Sequence, residues 1–296
     1  MITRFDHAVI AVSDLNRTGR LYQESLGLSP YVGGRHTGLG THNEIVRFGL
    51  DYLELLGIYD RHEVMMAGYR RASLAEYLDR AGGGLIGFCL ATADIDALAE
   101  RFRSTGLAAT GPFDMERRRP DGTVIRWRLL VPGNTSWRRP WPFFIQWDMP
   151  DAERLRVEKP GVHPLGVRRV VALSVMVNDL ESAGDLYCQQ IGLMEESRWP
   201  LPALDAHCMR LNVPGLTLDL LAPTGSGIVQ DTISAQGEGL FGVVHQVDDL
   251  AAARTLLAAN DISLQPAPEH AGAWLIPPAE AEGARLLLIE KEEKNG

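Results

Sequence analysis

Four times along the chain an apolar stretch closes on an aspartate, and a helical pattern of about a dozen residues follows it. HAVIAVSDLNRTGRLYQESLGL (7–28) and ALSVMVNDLESAGDLYCQQIGL (172–193), 165 residues apart, share Val12/Val177, Asp14/Asp179, Leu15/Leu180, Gly19/Gly184, Leu21/Leu186, Tyr22/Tyr187, Gly27/Gly192 and Leu28/Leu193. GGGLIGFCLATADIDALAE (82–100) and GEGLFGVVHQVDDLAAART (237–255) form a second pair, 155 apart, that matches at Gly82, Gly84, Leu85, Gly87, Asp94 and Ala97. Repetition of this quality marks a duplicated unit. Asp14, Asp94, Asp179 and Asp249 are expected to be helix N-caps, since a carboxylate there accepts orphan N–H bonds and opposes the helix dipole.

Short alternating strands, separated by Gly, Pro and Asp, follow each helix. In the first unit they are predicted near 28–32, 42–48 and 52–58, the last two joined as a hairpin through Gly49-Leu50-Asp51. In the second they are predicted near 108–113, 117–119, 123–130 and 141–147, with a turn at Pro120-Asp121-Gly122. The third and fourth units close with 216–221 and 285–290. The pattern is βαβββ, four times over, in two pairs. The expected fold is α+β, with one paired half at 1–150 and a second at 169–293. Between them DAERLRVEKPGVHPLGVR (151–168), charged and bearing Pro and Gly, is expected to be a linker.

Composition narrows the class. The chain has 296 residues, 45% hydrophobic and 23% charged, the balance of a globular protein with a real core. No apolar run reaches the roughly 18 residues of a membrane span, and no secretory h-region follows the first basic residue. Cys89, Cys188 and Cys208 are odd in number and far apart, which fits buried thiols in a reducing cytoplasm better than a disulfide framework or a CxxC zinc site. A net charge of −9 argues against a nucleic-acid partner. No P-loop, GxGxxG-before-helix or Ser/His/Asp pattern is present.

Certain polar residues stand where the pattern asks for apolar ones. Glu54 is an acid inside YLELLGI, where a buried carboxylate needs a metal, a cation, a proton or exposure. Such an acid can serve as a general base, and Glu54 is the candidate catalytic residue. His7 opens a buried strand beside Asp6, either as a paired strand-end histidine or as a ligand at a cavity mouth. GGRHTGLGTHN (33–43) reads first as a plain loop; it offers His42 and, more weakly, His36. Whether His42 shares a face with Glu54 depends on the turn at 49–51. An arginine cluster (117–119, 126, 128, 138 and 139) is either a solvated, salt-bridged face or an anion clamp, with Arg118 and Arg126 the candidate substrate contacts. RWR alternates, so Arg126 and Arg128 share one face and Trp127 takes the other.

Four βαβββ units opening on DHAVIAVSDL…LYQESLGL and closing on YLELLGI resemble the vicinal oxygen chelate superfamily, the group of glyoxalase I and the extradiol dioxygenases. GGRHTGLGTHN, YLELLGI, RRRPDGTVIRWRLL (117–130) and HPLGV (163–167) bring the first half closer to its glyoxalase-like branch. The resemblance implies two sheets that each curl round a cavity, with ligands at the start of each unit's first strand and the middle of its last. Those positions are His7, Glu54, Gly87 and Gln146 in the first half, and Ala172, Asp219, Gly242 and Glu290 in the second. The implied metal set is therefore His7, Glu54 and Gln146, holding a divalent ion such as Zn, Mn, Fe, Co or Ni, and the second half reads as a degenerate copy. The implied activity is a metal-dependent lyase or isomerase acting on a small oxygenated, anionic substrate. A metal-free binding or sequestering protein is the main rival. An extradiol dioxygenase is a third reading, disfavoured because the second histidine is missing; His245 lies three residues beyond Gly242, on the opposite strand face. Partners are expected to be a small molecule, with no nucleic acid and no membrane, and a homodimer is allowed for.

Overall fold

The computed structural model describes residues 1–36, 38–119, 121–133 and 137–290. The first half runs β1 (Ile2–Val12), α1 (Leu15–Glu24), β2 (Tyr31–His36), β3 (Thr41–Arg47), β4 (Tyr52–Ile58), α2 (Arg61–Met66), α3 (Tyr69–Ala81), β5 (Gly83–Thr92), α4 (Ile95–Thr105), β6 (Ala109–Arg118), β7 (Val124–Pro132) and β8 (Phe143–Trp147). After α5 (Asp151–Val157), the second half runs β9 (Val167–Met176), α6 (Leu180–Gly184) with a π-helical turn at Asp185–Ile191, β10 (Met194–Leu201), β11 (Ala206–Val213), β12 (Leu216–Pro223), α7 (Ile228–Gln236), β13 (Gly239–Val247), α8 (Leu250–Ala259), β14 (Gln265–Pro266), β15 (Trp274–Ile276) and β16 (Leu286–Glu290).

The two sheets have one topology. The first is ordered β2-β3-β4-β1-β5-β8-β7-β6 and the second β10-β11-β12-β9-β13-β16-β15-β14. In each, the paired modules meet through one central antiparallel contact, β1 with β5 and β9 with β13. The four aspartates do what their position suggests. Asp14, Asp94, Asp179 and Asp249 accept from the backbone N–H of Arg17, Ala97, Ser182 and Ala252, so the chain turns from strand to helix at the same point each time.

One face of each sheet carries its helices, and a single apolar core joins the halves there, with Ile10 and Phe88 of the first and Leu173 and Val175 of the second in the same cluster. The repeated tyrosines lock this contact reciprocally. Tyr22 donates to the Ala281 carbonyl at 3.2 Å, and Tyr187 donates to that of Pro140 at 2.6 Å. The opposite face of the first sheet is left free to surround a hollow. Among the described residues no helix is long and apolar enough to cross a membrane.

Three expectations are corrected. The glycine-rich stretch at 33–43 is largely strand: β2 runs from Tyr31 through His36 and pairs with β3, because Gly33 lets the Asn43 amide approach to within 2.1 Å of where a β-carbon would stand. The expected separate strand at 117–119 is the end of one long strand, β6, with Pro120 lying outside the described residues. The expected linker contains α5, whose Arg154 and the Glu158 that follows are fully buried against the first half.

Candidate functional site

The register of β1 against β5 shifts between Phe5 and His7, and a bulge of this kind re-aims side chains. Asp6 and His7, adjacent in sequence, are hydrogen-bonded to each other there, His7 Nδ1 to Asp6 Oδ1 at 2.8 Å. Burial pushes the Asp6 carboxyl up, but the His7 hydrogen bond, Arg154 and Arg4 outweigh it and hold Asp6 far below the usual carboxylate range. Asp6 is therefore an acceptor only, Nδ1 carries a proton, and Nε2 is the nitrogen turned to the hollow. The imidazole is clamped by stacking on Tyr52 at 4.6 Å and by the edge of Phe143 at 5.3 Å.

Glu54, on β4 beside β1, brings its Oε2 to 3.5 Å from His7 Nε2. Its Oε1 accepts from the Asn43 amide at 2.6 Å and lies 3.8 Å from His36 Nε2. The other His36 nitrogen meets the Thr41 hydroxyl at 2.9 Å across the β2–β3 turn. His7, His36 and Glu54, from three strands of one module, thus converge at the polar end of a cavity of about 410 Å³. The rest of the wall is mostly apolar, with Trp127, Trp137, Trp147, Phe113 and Phe143 contributing rings.

A chain of buried charges leads away from the site into α5. Asp6 also accepts from Arg4 at 2.6 Å and from the Trp147 indole at 2.9 Å, with Arg154 at 3.6 Å and lying over the Trp147 ring. Arg154 in turn meets Glu158, which binds Arg47 at 3.0 Å and Arg117. Burial opposes ionisation of Glu158, but Arg47, Arg117 and Arg154 hold it below the usual range. Arg47 then covers the Tyr52 ring on which His7 stacks.

The other candidates lie elsewhere. Gln146 does not face the cavity; its Oε1 accepts from Ile95 N–H at 2.8 Å and its Nε2 donates to the Ala93 carbonyl, capping α4. Strand alternation is the reason, since Phe143, Ile145 and Trp147 take the inward positions of β8. His42 points away from the site, edge-on to Tyr59 at 5.8 Å, while its neighbour Asn43 points in. Arg118 is exposed and donates to the Gly122 carbonyl at 3.5 Å; Arg117 takes the inward position. Arg126 is 58% exposed and pairs with Glu116 at 3.4 Å, so the RWR alternation holds but its arginine face is a solvated, salt-bridged one. Gly87 leaves its inward position to Trp137, whose ring would lie 3.5 Å from a β-carbon placed there. Asn43 is a site residue that the sequence did not bring forward, and His36 was offered only as the weaker histidine of its stretch.

In the second half the implied positions do not assemble. Asp219 is forked by Arg210 through two 2.7 Å bonds, Ala172 supplies no ligand, and Glu290 is exposed at the end of β16. His245 turns to the shared core, edge-on to Phe48 at 5.3 Å.

Two donor sets in the first half could hold a cation. Among the described residues, Asp6, His7 and Cys89 bring one ligand atom each within 4.8 Å of one another. That set is chemically poor: burial, with Asp6 adding to it, pushes the Cys89 thiol well up, and Asp6 is already taken by two arginines and an indole. His7 Nε2, Glu54 and His36 Nε2 are a less compact set but offer better donors, the two imidazole nitrogens lying 3.5 and 3.8 Å from different oxygens of one carboxylate. A proton or a metal ion between Nε2 and Oε2 would satisfy their 3.5 Å approach.

The sequence matches the glyoxalase-like domain family over residues 5–191 and the glyoxalase/bleomycin resistance protein/dioxygenase superfamily over residues 173–276. No functionally curated protein matches it. Among solved structures, it is similar to a hypothetical protein from Staphylococcus aureus, at 17% identity and a TM-score of 0.70, over 97% of this chain and 99% of that one. It is also similar to a mutant of 4-hydroxymandelate synthase from Streptomyces coelicolor, at 14% identity and a TM-score of 0.67, over 100% of this chain and 94% of that one. Both are likenesses of fold. With the family match running from β1 through the first helical segment of the second half, this chain belongs to the glyoxalase-like domain family, within the vicinal oxygen chelate superfamily.

Proposed function

We propose that the first half is a divalent-ion-assisted enzyme site that moves a proton on a small oxygenated molecule, as a lyase or isomerase does. The observation that supports it is the 3.5 Å approach of His7 Nε2 to the Glu54 carboxylate at the polar end of the cavity. His7, Glu54 and His36 would hold the ion, with His36 in the role that the resemblance gave to Gln146. Two imidazoles and a carboxylate suit Fe, Mn, Co, Ni or Zn. When bound, such an ion supplies polarisation of a carbonyl or hydroxyl oxygen and so acidifies the adjacent C–H or O–H.

The chain's own residues do the rest. Asp6 fixes His7 in the tautomer that offers Nε2. Asn43 donates to Oε1 of Glu54 and holds the carboxylate with Oε2 turned toward His7. The aromatic wall excludes water, which strengthens each charge interaction inside.

Elemental analysis of protein purified without chelator tests this. The expected result is roughly one ion per chain in the wild type, lost in His7→Ala and Glu54→Gln. A wild type holding less than about 0.1 ion per chain overturns it. One observation favours a second reading, a binding protein that needs no ion: β8 presents Ile145 and Trp147, not a ligand, to the cavity. Ligand binding unaffected by chelator, together with that low ion content, would select it.

A further inference from the structure

We propose that the cavity takes a planar aromatic ring carrying a hydroxyl, a phenol-class ligand, seated with its oxygen toward His7 and Glu54. The proposal deepens the reading above and rests on it only for the location of the site. The two modules divide the cavity between them. His7, His36, Asn43 and Glu54 come from β1–β4, whereas Trp127, Phe113, Phe143 and Trp147 come from β6–β8 and Trp137 from the segment before β8. Tyr52 adds a ring on the first side and Asp114, Arg117 and Arg139 add charge on the second, so a ligand spanning the hollow meets the imidazoles and the Glu54 carboxylate at one end and most of the rings at the other.

The polar end suits a hydroxyl. His7 Nε2 and Glu54 Oε2 lie 3.5 Å apart beside the Asn43 amide and His36, and an O–H group, donor and acceptor at once, can bond there. The expected clamp residues Arg118 and Arg126 are outside the cavity; of the two arginines that line it, Arg117 is bound by Glu158 and Arg139 lies over the Phe143 ring at 5.9 Å.

The apolar end asks for a ring. Trp127 and Trp147 are tilted at 47° with centroids 5.3 Å apart, and Trp137 meets Phe143 nearly edge-on at 85°. Neither pair is stacked face to face, so each leaves ring surface to a flat guest, and aromatic contacts contribute beyond the area they bury. Phe113 lines the hollow while remaining 44% exposed, which makes the entrance apolar as well.

Isothermal titration calorimetry with 2-naphthol and with trans-2-decalol, its saturated two-ring counterpart, tests the class. The expected result is saturable one-site binding of naphthol, at least about tenfold tighter than decalol. Phe113→Ala, on the exposed rim, and Trp127→Leu should each shrink that ratio without changing the melting temperature by more than a few degrees. Equal or tighter binding of decalol, or no saturable binding of either, overturns the proposal. Ion content measured on the same samples separates the two readings. Normal naphthol preference in ion-free protein sinks the metal-assisted enzyme and leaves this proposal standing. Full ion content without the preference does the reverse.

Discussion

Glu54 and Asp219 occupy the same point of two copies of one strand, 165 residues apart, and differ in what stands across the ladder. Opposite Glu54 is Ile45; opposite Asp219 is Arg210, whose guanidinium forks the carboxylate through two 2.7 Å bonds. The histidine that faces Glu54 is likewise replaced by Ala172 in the second half. One acid is fully answered by its neighbour and becomes part of the frame. The other meets an amide and two imidazoles at the end of a hollow. The residue beside it thus decides whether a buried carboxylate is paired within the frame or left facing a cavity, at the same strand register.

The largest expected effect is on the first acid. Glu54→Gln should lower turnover by about 10²- to 10³-fold, while Asp219→Asn leaves it unchanged. Equal losses in the two variants, measured as kcat, would erase the distinction between the halves. Exchanging the neighbours sharpens it. Arg210→Ile leaves Asp219 buried without its cation and should cost about 3 kcal/mol in chemical denaturation. Ile45→Arg should bring the same fork to Glu54 and abolish ion retention in a protein that still folds.

Acid should act on the second half through stability. Burial pushes His245 down to about 4, so below about 6.5 the unfolded chain takes up the proton that the folded one refuses. The stabilising contribution is complete above that pH and is lost as the pH falls toward 4, by roughly 3 kcal/mol in all. Denaturation midpoints from pH 7 to 4 should show a shallower slope in His245→Leu; an unchanged slope would assign the acid sensitivity elsewhere, His163 being the next buried imidazole pushed down. The smallest effect is expected of Gln146→Ala, which removes a cap from α4 and should cost about 1 kcal/mol of stability with turnover intact.

The frame was legible because it is periodic. Four aspartate caps, the repeated tyrosines and the shared face of Arg126 and Arg128 all follow from spacing, although spacing alone did not say that this face is the solvated one. His7 and Glu54 were legible because each is polar where the pattern asks for an apolar residue. Gln146 misled because the resemblance put a ligand at that point of the closing strand, yet Phe143, Ile145 and Trp147, two apart, already fill the inward positions. His36 was obscured by glycines that read as a loop, although His36 and Thr41 closing a tight turn was an available signal. Arg154 and Glu158 could not be separated from a solvated charge run by composition, since the same residues four apart suit an exposed helix equally well.

The burial of those two residues bears on where the chain can be cut. A fragment ending at 150 would keep Asp6, Arg47 and Arg117 but lose Arg154 and Glu158, the countercharges that hold them. Its imidazole would then sit beside a carboxylate deprived of one of its two arginines. Even a break after Glu158 would forfeit His163, which accepts from Ser29 N–H and bonds the Arg47 carbonyl. For anyone excising or recombining these halves, the natural seam lies past His163, just ahead of β9.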